Sequence, residues 1–316
     1  MQDSKQEWNL FTDAGKNRNI CLNSYNSRLE KPSGKVDVVL DTDTFNEIDD
    51  QYALSYMVRS DEKLNVRAIY AAPFFNNKSA GPEDGMLKSY DEIHRILYLL
   101  EREDLNNKVY KGSATYLPKE SVPVVSDAAE NLVELSKKYT REHPLYVIAI
   151  AAITNIASAL LIDPTITERI VVIWLGGHAY SWPNNREFNL YQDVAGARLI
   201  FGCGVPLIQV PCMGVVSAFT TSGPELEYHL RGKNKLCDYL VDVTTEEAKK
   251  CYGGSTWTRP MPAWRSINCP MTTAGGRSGI RRCSNGARRN RSSSRWTRPR
   301  RRRRRVGRRT GRGRRT

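Results

Sequence analysis

The sequence predicts an α/β fold, with a mainly parallel central sheet flanked by helices on both faces, an open Rossmann-like arrangement. Two observations carry this. Short Val- and Ile-rich runs alternate with segments of helical period between residues 36 and 210, the pattern of βαβ units. The runs are apolar at successive positions, as strands buried on both faces require.

In order, Val36–Leu40 reads as the first strand, entered through the turn signal Lys31-Pro32-Ser33-Gly34. Asp50–Arg59 is a helix with Ala53, Leu54, Met57 and Val58 on one face, and Asp49 or Asp50 sits at its N-terminus, where negative charge is favoured. Val66–Ala72 is a strand, Tyr90–Arg102 a helix carrying Ile93, Ile96, Leu97 and Leu100, and Asp127–Tyr139 a further helix. Tyr146–Ala151 is a strand and Thr154–Ile162 a helix stopped before Asp163-Pro164. Ile170–Leu175 ends at Gly176-Gly177, Asp193–Phe201 is helical, and Pro206–Val210 is a strand. Ligands of such sheets bind beyond the carboxyl ends of the strands. Asp41, Asp43, Thr154 and the Gly176-Gly177 segment all follow strands.

Charge divides the chain. The formal net charge is +14, yet residues 1–250 hold 27 Lys and Arg against 34 Asp and Glu, a net of −7, while residues 251–316 hold 21 Arg and no Lys, Asp or Glu. Three regions are expected: an extension over 1–35, a catalytic domain over 36–255 and an Arg-rich, low-complexity tail over 256–316 with an unbroken run from Arg300 to Arg305. The tail reads either as a disordered basic arm or as the product of a frame change near residue 258. Arg without Lys favours the second, because selection for positive charge ordinarily uses both. Nucleic-acid binding is expected only as non-specific, salt-dependent attraction through that tail. The seven scattered Cys lack CxxC spacing, which suits reduced thiols in a cytosolic protein. No apolar stretch approaches the roughly 20 residues that span a bilayer, and Met1–Asn9 lacks an apolar signal core. A cytoplasmic protein without membrane partners is expected.

The chemistry concentrates in Asp41-Thr42-Asp43-Thr44-Phe45-Asn46-Glu47-Ile48-Asp49-Asp50. Carboxylates this close repel one another and raise each other's pKa, and a hard divalent cation such as Ca²⁺ relieves that. Taken alone, Asp49 and Asp50 could be helix caps worth about 1 kcal/mol, and Thr154 and Asn155 could cap the helix they begin. The segment, followed by Ile153-Thr154-Asn155-Ile156-Ala157 and by Gly176-Gly177…Glu187-Phe188-Asn189 with Asp193 and Ala195, resembles the ordered motifs of the inosine-uridine-preferring nucleoside hydrolases. It is most similar to a bacterial branch with an Asp-Thr-Asp-Thr-x-Asn-Glu-Ile-Asp-Asp-Gln motif, and its loop is two residues longer than in the best-known members.

The resemblance implies a nucleoside hydrolase-like fold, a ribonucleoside substrate, and hydrolysis to ribose and free base by a Ca²⁺-bound water. It implies Asp43 as metal ligand and general base, Asp50 as metal ligand and Thr154 as a ligand through its carbonyl. Asp49, Glu187 and Asn189 would hold ribose hydroxyls, Asn76 or Asn77 and, more weakly, Asn184 would contact the sugar, and Asp41 would support the cluster from just outside the ligand set. Members are often dimers or tetramers, so a homo-oligomer is compatible. The family's last metal ligand is an Asp in a C-terminal segment. Here Trp257-Thr258-Arg259 is followed by Pro260-Met261-Pro262-Ala263-Trp264 and no acid, which implies impaired activity. Two other readings remain open at this stage: a haloacid-dehalogenase-like Mg²⁺-dependent phosphatase with Asp41 as nucleophile, and a nucleic-acid-binding protein acting through the tail. Sequencing the gene across codons 250–270 separates the readings of the tail: a frame change predicts that another frame there encodes an Asp-containing segment, and a frame with none removes the idea.

Overall fold

A computed structural model of the chain describes residues 22–252 and 261–262. The chain divides into units 1–271 and 272–316; the second unit, the start of the N-terminal extension and the segment around Trp257 lie outside the described residues. Six strands form one sheet: β1 (Val36–Thr42), β2 (Leu64–Ala71), β3 (Val109–Lys111), β4 (Leu145–Ala149), β5 (Ile170–Leu175) and β6 (Leu207–Val210). Their spatial order is β3-β2-β1-β4-β5-β6, every pairing is parallel, and the mainly parallel α/β sheet expected from the sequence is present.

The apolar runs are buried on both faces because alternate residues enter two cores. Val39, Tyr70, Val147, Val172 and Trp174 face a cluster with Leu132, Ile156 and Ile200, from α4 (Asp127–Ser136), α5 (Thr154–Ile162) and α7 (Val194–Gly202). Val38, Leu40, Ile69, Tyr146 and Val171 face a second cluster with Leu54, Ile93, Leu97 and Leu240, from α2 (Ile48–Arg59), α3 (Pro82–Leu99) and α9 (Lys235–Tyr252). The remaining helices are α1 (Leu22–Leu29), the short α6 (Phe188–Gln192) and α8 (Gly223–Leu230).

Several elements differ from expectation. The third helix starts at Pro82 instead of Tyr90, because Pro at the first helical position is pre-set for a helix and its first turns pack on Phe74; a Cβ on Gly85 would lie 2.1 Å from the Phe74 carbonyl oxygen. Ala53 is half-buried, whereas Leu54, Met57 and Val58 enter the core. The edge strand β3 spans three residues, too few for a periodic signal. Helix α1 forms within the polar extension and is tied down by Arg28, whose Nη1 donates to the Thr167 carbonyl at 3.2 Å. Helices α8 and α9 were not anticipated, although Ser222-Gly-Pro-Glu225 forms a capping box at the start of α8 that its sequence spacing signals. Among the described residues no helix is long and apolar enough to cross a membrane.

Trp174 is fully buried and donates from Nε1 to the Ala151 carbonyl at 3.0 Å. Replacing it with Ala removes a large buried ring and orphans that carbonyl. Trp174→Ala is expected to cost about 3–5 kcal/mol, read as a lower midpoint in urea unfolding, and Trp174→Phe to cost clearly less.

Candidate active site

In this strand order the chain runs to one side of β1 through β2 and β3 and to the other through β4, β5 and β6. The crevice at such a reversal is where doubly wound sheets bind ligands. β1 ends there with Asp41 and Thr42, and Asp43 follows; both neighbouring strands continue alongside, the Ile150 N–H donating to the Asp41 carbonyl at 2.9 Å and the Ala72 N–H to the Thr42 carbonyl at 2.8 Å. A tight turn, with the Asn46 N–H donating to the Asp43 carbonyl at 2.6 Å, then leads into α2, whose first turn carries Asp49 and Asp50.

A cleft of about 940 Å³ opens over these residues. Asp43, Glu47, Asp49, Asp50 and Asn189 line one side; Tyr56, Leu175, Val216, Phe219 and Leu226 form an apolar wall, with His229 of α8 among them. Asp43 and Asp50 are almost fully buried. Burial pushes the carboxyls of Asp43, Glu47 and Asp50 well above the usual carboxylate range, and the surrounding carboxylates add to it in each case. Burial likewise raises Asp49 to about 6, against the pull of backbone N–H groups and the Lys78 ammonium.

Each acid is held by identified partners. Asp43 Oδ2 accepts from Asn46 Nδ2 at 2.9 Å, and Asn46 Oδ1 accepts from Asn76 Nδ2 at 2.6 Å. Thr42 Oγ1 donates to Asp50 Oδ1. Asp41, with no exposed surface, accepts from Asn155 Nδ2 at 2.8 Å, and burial raises its carboxyl to about 7. Asn155 Oδ1 in turn accepts from the backbone N–H of Ser113 at 2.8 Å and its hydroxyl at 2.9 Å. This crossing fits because residue 112 is glycine: a Cβ there would lie 2.5 Å from the Asn155 amide nitrogen and 2.0 Å from the Ala71 carbonyl oxygen.

The residues taken from the sequence separate into three groups. Asp43, Asp49, Asp50 and Asn189 reach the cleft. Asp41, Thr154 and Glu187 are buried outside its lining. Thr154 Oγ1 donates to Asp193 Oδ2 at 2.6 Å. Glu187 caps α6, its carboxylate accepting from the N–H groups of Gly177, Asn189 and Leu190 at 2.7, 2.9 and 3.0 Å. Gly177 takes a left-handed φ of +74° in the turn that presents its N–H to Glu187. The Asn189 amide nitrogen donates to the Ile150 and Leu175 carbonyls, both at 3.0 Å, stitching the ends of β4 and β5 together. Asn76 borders the cluster through Asn46, whereas Asn77 is exposed, and so is Asn184, whose Oδ1 accepts from the Arg186 N–H at 3.2 Å.

Three residues of the site were given no role from the sequence. Glu47 lines the cleft, and its place in the acid run was a signal. Asp193 caps α7 by accepting from the Gly196 N–H at 2.7 Å while holding Thr154; only the cap was readable locally. Lys78 Nζ donates to the Asn46 carbonyl at 2.6 Å and pairs with Glu247 at 3.1 Å, a contact between distant segments with no local signature.

The donor set suits a hard cation. The donors are all oxygen, and Asp41 Oδ2 and Asp49 Oδ1 are buried without a partner, so added positive charge would meet lone pairs that nothing else satisfies. Among the described residues no three His, Cys, Asp or Glu side chains are gathered as a finished cation cage.

The electrostatics set a pH dependence. Asp41 carries its proton to about pH 7 in the folded chain but loses it near 3.9 when unfolded. Between those values the folded state binds more protons, so stability falls as pH rises through that window. Urea unfolding in chelator is expected to show a lower midpoint at pH 7.5 than at pH 5, with a shallower fall in Asp41→Asn.

Known proteins place this architecture. The profile of the family described as inosine-uridine preferring nucleoside hydrolase matches residues 38–261. The pyrimidine-specific ribonucleoside hydrolase RihA of Salmonella arizonae is 29% identical over 194 residues, 54% of this chain and 58% of the relative. An Arabidopsis thaliana protein named "Probable uridine nucleosidase 2" is 27% identical over 136 residues, 42% of this chain and 41% of the relative. The chain thus spans about half the length of the curated relatives it matches. The fold is similar to that of a purine-preferring ribonucleoside hydrolase from Gardnerella vaginalis, with a TM-score of 0.55 at 19% identity over 73% of this chain and 78% of the other. On the extent of the profile match and the order of its motifs, the chain belongs to the inosine-uridine preferring nucleoside hydrolase family.

Proposed function

We propose that the chain hydrolyses the N-glycosidic bond of ribonucleosides, releasing ribose and free base, with Ca²⁺ as its cation. The observation that carries the proposal is the placement of Asp43, Asp49 and Asp50 together on one side of an apolar-walled cleft at the sheet's switch point. Membership of the family supports it.

Cleavage of a glycosidic bond passes through an oxocarbenium-like transition state. Negative charge beneath the sugar stabilises that developing positive charge, and the apolar wall takes the base. Asp43 and Asp50, with the Thr154 carbonyl, are the proposed cation ligands; when bound, the ion would neutralise the cluster and polarise a water and the ribose diol. Asp43 accepts the proton of the attacking water. Asp49, with Oδ1 unpartnered, accepts from a ribose hydroxyl. Asn189 offers the sugar its carbonyl oxygen, since its nitrogen is committed to Ile150 and Leu175. Glu187 already accepts from three backbone N–H groups, so its main contribution is to hold α6.

The missing C-terminal acid lowers both the charge and the ligand number available to the cation, and activity is proposed to be impaired accordingly. Ribose release from inosine and uridine should be measurable with added Ca²⁺, disappear with a chelator and return on Ca²⁺ addition. Asp43→Asn is expected to lower kcat by about 10²–10⁴-fold. Phosphate release from sugar phosphates without ribose release would instead support the phosphatase reading.

A further inference from the structure

A buried carboxylate that this chemistry does not use lies behind the acid-bearing helix. Glu92 of α3 is 2% exposed and does not line the cleft. Its Oε1 accepts from Gln51 Nε2 of α2 at 2.7 Å and from the Tyr239 hydroxyl of α9 at 2.5 Å, and its other oxygen pairs with Arg95 at 3.3 Å. Gln51 follows Asp50 directly and is itself buried.

The first turn of α2 needs outside support. Its N-cap, Glu47, makes no side-chain capping hydrogen bond, and the Asp49 and Asp50 N–H groups turn instead to the Asp49 carboxylate, itself a member of the acid cluster. The same turn carries Asp49 and Asp50, which line the same side of the cleft as Asp43 and Glu47, so like charges crowd it. Thr42 holds this turn from the strand side through Asp50, and a turn crowded by like charges is steadied further by a bond to the helices behind it. Gln51 is the one residue of that turn whose side chain bonds across to another helix, and Glu92 is where it bonds. Helix α9 backs this arrangement twice more. The Tyr52 hydroxyl lies 3.0 Å from Thr244 Oγ1, and Glu247 holds Lys78, which holds Asn46 and through it Asp43.

We propose that α9 is the positioning element of the acid cluster, and that Glu92 is the positioning residue through which Tyr239 fixes the turn bearing Asp49 and Asp50. The proposal rests on the hydrolase reading only for what the acids do once positioned.

The test uses the full chain carrying Glu92→Leu, Glu92→Gln or Tyr239→Phe. Two quantities are read: amide hydrogen exchange at residues 48–51 relative to β4 and β5, and the affinity for Tb³⁺ by sensitised luminescence. In Glu92→Leu, exchange at 48–51 should quicken, and Tb³⁺ affinity should weaken, each by about tenfold, the effect of one lost buried hydrogen bond, with β4 and β5 unchanged. Glu92→Gln, which keeps an oxygen to accept from Gln51, should restore most of both. Tyr239→Phe should move both in the same direction by less, and carries the test if Glu92→Leu does not fold. Exchange at 48–51 that stays at the wild-type rate, or that quickens only in step with β4 and β5, overturns the proposal by reducing Glu92 to a packing role. If the wild-type chain takes up no Tb³⁺, the cation in the hydrolase reading fails, and exchange at 48–51 alone decides the positioning proposal.

Discussion

The structure is organised around one costly arrangement: several carboxylates gathered at the end of β1 in a largely buried setting. Desolvation acts against it at every acid and raises the carboxyls of Asp43, Glu47, Asp49 and Asp50 above their ordinary range, and neighbouring carboxylates add to the rise at Asp43, Glu47 and Asp50. Such a cluster persists only if the surrounding fold over-determines its position, and most polar contacts in this part of the molecule serve that end. Thr42 holds Asp50, Asn46 holds Asp43, and Asn155 holds Asp41.

These contacts reach far along the chain. Asn155 belongs to the helix after β4, yet it bonds at once to the end of β1 and to the loop after β3. Asp193 caps its own helix and also fixes Thr154. Glu187 and Asn189 tie the segment after β5 to the ends of β4 and β5. The polar residues of the later motifs thus appear here mainly as joints between strand ends. They brace the crevice in which the acids of the first motif stand, and the acids supply the charge.

The two-sided burial of the sheet makes this bracing possible. With β1 at the centre and helices on both faces, Val39 and Leu40 anchor the strand into opposite cores, so the residues that follow emerge from a fixed point. The apolar wall opposite the acids comes largely from the segment 216–230, just before and within α8. A low-dielectric wall facing a charged floor strengthens every electrostatic interaction between them, which suits the proposed reaction, in which positive charge develops on a sugar.

Much of this was determined by the sequence alone. The strands β1, β4 and β5 and the helix α5 followed from local apolar runs and stop signals, because burial on two faces leaves an unbroken hydrophobic signature. The acids of residues 41–50 were legible because their density has no inexpensive structural explanation. Other features were decided only by tertiary structure. A three-residue edge strand is too short for periodicity, and the early start of α3 depends on the close approach at Phe74. Which side chains face the cleft could not be read locally: Glu187 and Asn189 looked like free ligands, yet most of their hydrogen-bonding capacity is spent on backbone groups brought close by folding. The bonds by which Glu92, Lys78 and Tyr239 reach the site had no signature, because those partners lie about 30 to 170 residues away in sequence and meet them only when the chain folds.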